Sequence, residues 1–187
     1  MAEARVERRL AAILAADVAG YSRLMSADEA GTLSALQAHR CELIAPAIER
    51  HRGRIVKLMG DGILAEFGSV VEAVGCAAEI QREMQIRNRG ARDDRRMLLR
   101  MGVHLGDIII DGDDIYGDGV NIAARLEGIA ETGGICISRQ TYDQVNGKLP
   151  LTCRPLGPQK LKNIPNPFEV YTIDLKGTGP AGPADLG

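Results

Sequence analysis

The sequence predicts an α+β fold in which helices cover a mostly antiparallel sheet. Three observations predict it: apolar runs alternate with segments of helical spacing, a Gly-Asp-Gly turn joins two of those runs, and 187 residues suit one domain. Hydrophobic residues make up 45% and charged residues 26%, which is a globular composition and excludes a disordered or fibrous chain.

The first strand and the first helical segment follow from simple patterns. Residues 10–18 form a continuous apolar run, which is typical of a strand covered on both faces. The S-x-x-E pattern at Ser26 predicts a capping box that opens a helical segment extending to about His51. Pro46 lies inside this segment, so we expect it to kink or split the helix.

The next elements are a hairpin, a helix and a polar loop. Residues 54–59 and 63–67 are short apolar runs joined by Gly-Asp-Gly, and residues 69–87 have helical spacing. Residues 88–96 are polar and predict a loop. Seven arginines occur from Arg82 to Arg100, but interspersed acidic residues favour a solvated surface there over a phosphate-binding patch.

The second half continues the alternation of strands and helices. Residues 98–105 and 107–110 predict two strands separated by Gly106, and residues 120–130 predict a helix. The remaining predicted elements are a strand at 135–138, a short helix at 140–146, and closing strands at 152–156 and 168–173. The last eleven residues contain four Gly and two Pro, which predicts a linker or a frayed end.

Composition also limits the partners and the cellular location. The formal net charge is −2 and aromatic residues are 3%, which argues against a nucleic-acid-binding protein. The four cysteines are far apart and lie in apolar stretches, so we expect buried, reduced thiols. The N-terminal apolar run is interrupted by Asp17, and no run reaches the length of a membrane span. We therefore expect a cytoplasmic protein.

Two carboxylates are candidates for a metal site. Asp17 ends a strand that is otherwise apolar, where a charge is costly unless it is paired or coordinated. Asp61 lies at the tip of the predicted hairpin, although an Asp between two glycines is also a common turn former. Carboxylates that converge at strand ends suit hard cations such as Mg²⁺.

Residues 111–125 form the densest polar cluster, but they match no common binding loop. A calcium loop would have Gly where Tyr116 stands and Glu where Ile122 stands, and the dinucleotide and Walker patterns are also incomplete. Asn121 and Arg125 are four residues apart on the predicted helix, so they share one face. An amide beside a guanidinium suits sugar and phosphate recognition, although an exposed polar face explains the pair equally well.

Four segments together resemble the catalytic domain of class III nucleotidyl cyclases. They are the segment from Asp17 to Ser22, the segment from Lys57 to Gly62, the segment from Asp114 to Arg125, and Leu161-Lys162. They occur in the order and spacing of the family and cover about residues 9–174. The resemblance implies a ferredoxin-like, palm-type sheet and three regions: a lead-in at 1–8, the catalytic domain at 9–175 and a tail or linker at 176–187.

The resemblance implies a role for each matching position. Asp17 and Asp61 match the metal-binding carboxylates, with help from the Val18 carbonyl. Lys57 and Asp114 match the pair that reads the purine, and this pair favours ATP over GTP. The remaining matches are Asn121 for ribose orientation, Arg125 for the transition-state phosphate, and Lys162, or instead Lys160, for the polyphosphate.

The implied reaction is conversion of ATP to 3′,5′-cyclic AMP and pyrophosphate with two divalent cations, Mg²⁺ or Mn²⁺. In the family, one site combines metal ligands from one domain with base- and phosphate-reading residues from another. This chain contains both sets, so we expect a head-to-tail homodimer with two equivalent sites. The Gly/Pro-rich tail suits attachment of regulatory domains in a longer parent chain.

Three alternatives stay open at this point. The first is a guanylyl cyclase, against which Lys57 and Asp114 argue. The second is a catalytically silent regulatory or dimerisation module, although such modules usually lack a metal Asp or the transition-state Arg. The third is another two-metal enzyme, such as a polymerase palm or a diguanylate cyclase.

Overall fold

The computed structural model describes residues 7–161, 163–165 and 167–175. Over these residues eight strands form one sheet in the order β2-β3-β1-β4-β6-β8-β7, with β5 paired to β4. The strands are β1 (Glu7–Val18), β2 (Gly53–Met59), β3 (Gly62–Phe67), β4 (Leu99–Asp111), β5 (Asp114–Tyr116), β6 (Ile135–Ser138), β7 (Thr152–Gln159) and β8 (Phe168–Asp174). The β4–β6 pair is parallel and the other pairs are antiparallel, which confirms the predicted fold class.

Helices cover both faces of this sheet. They are α1 (Tyr21–Ala27), α2 (Glu29–His39), α3 (Ala45–Arg50), α4 (Val70–Arg89), α5 (Asp118–Ile129) and α6 (Arg139–Val145). A π-helical turn over Arg40–Ile44 connects α2 to α3, and a 3₁₀ turn over Asp93–Arg95 lies in the loop after α4. Pro46 is the second residue of α3 and follows the π-helical turn directly, so the helical segment becomes irregular next to Pro46, as predicted.

Strand β1 shows how the sequence divides the core between the two faces. Its even-numbered residues from Ala12 to Val18 lie in the larger cluster, which also contains buried residues of α2, α3 and α4. Ala11, Ile13 and Ala15 lie in a second cluster with Ala123 of α5 and Ile115 of β5. Side chains alternate along a strand, so a continuous apolar run packs against helices on both sides. Leu10, which we expected in this run, is 66% exposed.

The capping box predicted at Ser26 is wrong. Ser26 is inside α1, and the helical segment breaks at Asp28, whose backbone is extended (φ −162°, ψ 90°). The Asp28 carboxylate accepts a hydrogen bond from the Gly31 N–H at 3.0 Å and so caps α2. An Asp at this position typically stabilises a helix by about 1 kcal/mol.

The break predicted at Gly106 is also wrong, because β4 is one continuous strand. A Cβ added at Gly106 would lie 2.6 Å from His104 Nε2 and 3.1 Å from Gly119 Cα. This glycine therefore marks a close approach of α5 and of the His104 ring, which is the other common meaning of a glycine inside a strand. The short strand β5 was not predicted.

The cysteine prediction is confirmed in part. All four are free thiols, and Cys76 and Cys136 are buried, but Cys153 is half-buried and Cys41 is exposed. No helix within the described ranges is both long enough and apolar enough to cross a membrane. The predicted tail at 176–187 and most of the lead-in at 1–8 lie outside the described residues.

Candidate active site

The end of β1 and the turn after β2 lie side by side. Asp17 is the second-last residue of β1, after six buried residues, and its side chain is 23% exposed. Asp61 lies between β2 and β3, and its Oδ2 accepts a hydrogen bond from the Val18 N–H at 2.9 Å. The structure thus brings together the two carboxylates and the Val18 backbone that the sequence singled out.

Arg100 is a site residue that the sequence analysis missed. It lies directly across from Asp17 in the antiparallel β1–β4 pair. Its Nε donates to Asp17 Oδ1 at 3.1 Å, and its Nη2 donates to Asp17 Oδ2 at 2.8 Å. The sequence offered seven arginines from Arg82 to Arg100, and only the register of β1 against β4 distinguishes this one from the others.

Glu127 is a second missed residue. Burial, followed by a hydrogen bond to Asp17 and the nearby charges of Asp17 and Asp61, raises the pKa of the Glu127 carboxyl to about 8. Helix α5 comes this close because β4 has glycine at Gly102, where a Cβ would lie 2.4 Å from the Glu127 backbone nitrogen. Three carboxyl groups therefore surround one guanidinium, that of Arg100.

With the Glu127 carboxyl mostly protonated at neutral pH, Asp17 and Asp61 still exceed the single positive charge of Arg100, and this surplus fits a divalent cation. Asp17, Asp61 and the Val18 carbonyl offer the oxygen ligands that Mg²⁺ prefers. Within the described ranges, no three His, Cys, Asp or Glu side chains are arranged as a complete metal-ligand set. Mg²⁺ sites commonly use one or two carboxylates and complete the coordination with water and substrate phosphates.

An arginine also holds the turn that carries Asp61. Arg40 Nη2 donates to the Gly60 carbonyl oxygen at 2.5 Å, from the first residue of the π-helical turn. Gly60 has a positive φ of 62°, which glycine adopts without strain. The Arg40 Nε is buried and has no hydrogen-bond partner among the described residues.

Lys57 and Asp114 form an ion pair between β2 and β5. Lys57 Nζ lies 3.1 Å from Asp114 Oδ1, and each side chain is about one-third exposed. The same ammonium lies 5.4 Å from the centre of the Tyr116 ring. Hydrogen bonds from Tyr116, Lys57 and the Ile115 N–H hold the pKa of the Asp114 carboxyl below its usual value. Tyr116 had no role in our prediction.

Asn121 and Arg125 lie on α5. Neither side chain has a hydrogen bond or ion pair with another residue in the described part of the chain. Arg125 and Glu127 are two positions apart, which is about 200° around a helix. Because Glu127 faces Asp17, Arg125 points elsewhere. Lys162 lies outside the described residues, and Lys160 is exposed after β7.

Comparison with sequence families identifies one match over nearly the whole chain. The family described as the adenylate and guanylate cyclase catalytic domain matches residues 6–174. A curated relative, named putative adenylate cyclase 3 of Rhizobium meliloti, is 46% identical over 94% of this chain. The chain spans 30% of that relative's length.

Solved structures of similar proteins have the same fold. A crystal structure described as an adenylate/guanylate cyclase/hydrolase from Silicibacter pomeroyi has a TM-score of 0.82 and 46% identity, covering 89% of this chain and 97% of its own. The adenylyl cyclase CyaB from P. aeruginosa has a TM-score of 0.79 and 24% identity, covering 98% of this chain and 100% of its own.

Proposed function

Because the chain belongs to the family of adenylate and guanylate cyclase catalytic domains, we propose that it converts ATP to 3′,5′-cyclic AMP and pyrophosphate. The observation that carries this choice of substrate is the Lys57–Asp114 ion pair at 3.1 Å. It presents a donor beside an acceptor, and adenine presents the complementary N1 acceptor and N6 donor. Guanine reverses this pattern with an N1–H donor and an O6 acceptor, so the pair favours ATP over GTP.

We propose that Asp17 and Asp61, with the Val18 carbonyl, hold two divalent cations, Mg²⁺ or Mn²⁺. The excess of carboxylate over guanidinium at the end of β1 supports this, as does the all-oxygen donor set. Bound there, such cations supply activation of the ribose 3′-hydroxyl and stabilise the charge of the leaving pyrophosphate. Arg100 offsets part of the carboxylate charge and fixes the Asp17 side chain through two hydrogen bonds.

Asn121 and Arg125 are the proposed ribose-orienting and phosphate-stabilising residues. A planar guanidinium binds phosphate oxygens through two parallel hydrogen bonds, and an amide can both donate to and accept from a ribose hydroxyl. Both side chains remain available for a ligand, since they have no partner in the described part of the chain. Lys162 is proposed for the polyphosphate, with Lys160 as the alternative.

We propose that each site is shared between two copies in a head-to-tail homodimer. On α5, Glu127 faces Asp17 while Arg125 faces another direction, so one chain does not direct Arg125 at its own carboxylates. A second copy related by two-fold symmetry can supply the missing half, and the same contact then completes a second site. Lys57 and Asp61 are only four residues apart, yet they would serve opposite sites.

Mixing two inactive variants tests this proposal. Asp17→Ala removes a metal ligand and Arg125→Ala removes the phosphate-stabilising group, so each homodimer should be inactive with ATP and Mn²⁺. In an equimolar mixture, half of the dimers are heterodimers with one intact site, which restores about one quarter of wild-type activity. Products from ATP and GTP are separated by chromatography, and formation of cyclic GMP in preference to cyclic AMP would overturn the assignment of substrate.

Two further outcomes would contradict the proposal. Different tags on the two variants can show that heterodimers form. Heterodimers that form but have no activity would contradict the shared site. Wild-type dimer that forms no cyclic nucleotide from either ATP or GTP, with Mg²⁺ or Mn²⁺, would indicate a silent regulatory module.

A further inference from the structure

A buried carboxylate, that of Glu66, lies on β3, next to the strand that carries Lys57. The Glu66 side chain on β3 is 9% exposed, and two arginines bind it. Arg9 Nη2 lies 2.9 Å from both carboxylate oxygens, and Arg54 donates to Oε1 from Nε at 3.0 Å and from Nη2 at 2.7 Å. A buried carboxylate with this many charge-assisted bonds fixes the side chains that bind it.

Arg54 has a further contact that reaches the candidate site. Its Nη1 donates to the carbonyl oxygen of Asp113 at 3.1 Å, across 59 positions in the sequence. Asp113 directly precedes Asp114, and residues 112–113 are exposed in the turn between β4 and β5. This turn has little packing of its own, so the hydrogen bond from Arg54 restrains its backbone.

An irregularity in β2 places Arg54 and Lys57 on the same face. Residues three apart on a regular strand point to opposite faces. The pairing of β2 with β3 shifts between Ile55 and Lys57, however, so that Arg54 lies opposite Glu66 and Lys57 lies opposite Leu64. Because Glu66 and Leu64 are two apart and share a face, the extra residue in β2 aims both basic side chains at the β4–β5 turn.

We propose that Arg54, itself fixed by Glu66, is a positioning residue that sets Asp114 beside Lys57 and thereby determines which purine is accepted. This rests on the proposed function, in which Lys57 and Asp114 read the base. Arg54 holds the backbone before Asp114 while Lys57 holds its carboxylate, so two separate contacts from β2 define the position of the acceptor.

Three variants test the proposal with steady-state kinetics for ATP and GTP. Arg54→Gln removes the Asp113 contact, and Arg54→Lys keeps a charge for Glu66 but lacks the planar fork that reaches both partners. For both we expect the KM for ATP to rise about tenfold with kcat changed less than threefold, and the ATP:GTP ratio of kcat/KM to fall about tenfold. Arg8→Gln is the matched control, since Arg8 is an exposed arginine of the same sheet paired with exposed Asp107, and its ratio should stay within twofold.

Hydrogen exchange supplies a readout that does not need catalysis. Amides of residues 112–116 should exchange faster in Arg54→Gln than in wild type. The melting temperature of Arg54→Lys should equal that of wild type, because this variant keeps a positive charge for Glu66. An unchanged exchange rate at this turn overturns the positioning role, even if wild type cyclises neither nucleotide and the proposed function fails. Faster exchange with an unaltered ATP:GTP ratio overturns the link to base selection.

Discussion

Two regions of this chain pair an aspartate with a basic side chain, yet one has a surplus of negative charge and the other is balanced. At the end of β1, Asp17 and Asp61 lie near one guanidinium, that of Arg100, and the mostly protonated carboxyl of Glu127 lies beside them. Between β2 and β5, Asp114 faces Lys57, one charge against one. Burial, a hydrogen bond to Asp17 and the charges of Asp17 and Asp61 raise the pKa of Glu127 to about 8, whereas hydrogen bonds from Tyr116, Lys57 and the Ile115 N–H lower the pKa of Asp114.

The difference indicates which kind of ligand each region suits. Surplus carboxylate in a half-buried place is costly, and a divalent cation relieves that cost. A balanced pair needs no further charge, and it offers one donor and one acceptor to a neutral partner such as the edge of a base. Charge balance therefore distinguishes a cation site from a base-reading site, although both centre on an aspartate.

Substitution of Asp17 tests most directly whether the end of β1 is a cation site. Asp17→Asn keeps the shape of the side chain but removes a charge, so we expect turnover of ATP to fall about 10²- to 10³-fold. Wild type should also gain about 5 to 10 °C in melting temperature at saturating Mn²⁺, and the variant should lose most of this gain. Turnover and thermal melts with and without Mn²⁺ measure both effects.

Asp107→Asn is the control for that experiment, because Asp107 is an exposed carboxylate of the same sheet. Its turnover should stay within twofold of wild type and its response to Mn²⁺ should be unchanged. An Asp17→Asn variant with normal turnover and a normal Mn²⁺ response would mean that the carboxylates at the end of β1 serve only the fold.

We expect the next largest effect from exchanging the hydrogen-bond donor and acceptor of the Lys57–Asp114 pair. In the double variant Lys57→Glu with Asp114→Asn, the new pair accepts from guanine N1–H and donates to guanine O6. Two reversed polar contacts should move the ATP:GTP ratio of kcat/KM about 10²-fold toward GTP. Lys57→Gln alone should weaken ATP use without a matching gain for GTP, and a double variant with the wild-type ratio would refute base reading by this pair.

The sequence predicted the aspartates of both regions but not their surroundings. Asp17 and Asp61 stand out because they end or separate apolar runs, whereas Asp114 was singled out by the resemblance to cyclase catalytic domains. Arg100 and Glu127 reach Asp17 only through the register of β1 against β4 and through the glycine that admits α5. The break predicted at Gly106 was wrong for a related reason, since a local pattern does not show that α5 and the His104 ring approach this glycine. The capping box at Ser26 was wrong because Asp28, two residues later, caps the helix instead.

A buried histidine outside both regions makes the stability of the whole fold depend on pH. His104 on β4 is 4% exposed and its Nδ1 lies 2.7 Å from Ser138 Oγ. Burial lowers the pKa of His104 to about 4. The unfolded chain therefore binds the proton more readily, so stability is full above pH 6.5 and falls as the pH drops toward 4.

Between pH 7 and pH 5 this histidine should cost the fold about 2 kcal/mol. His104→Gln should be less stable than wild type at pH 7, and should lose about 2 kcal/mol less than wild type on going to pH 5. Denaturant unfolding of both proteins at the two pH values measures the difference. Equal losses in wild type and variant would mean that His104 is not buried in its neutral form.

The smallest effect is expected where the sequence is richest in arginine. Arg92 lies 3.5 Å from Asp94 in the loop after α4, and the two side chains are 80% and 67% exposed. Such pairs contribute less than about 0.5 kcal/mol, so Arg92→Ala should shift the melting temperature by less than about 2 °C and change turnover less than twofold. A tenfold loss of turnover would make this loop a third charged region of the site. A small effect would show that abundant surface arginine does not contribute to turnover. The charged groups that affect turnover would then be the half-buried ones at the end of β1 and between β2 and β5.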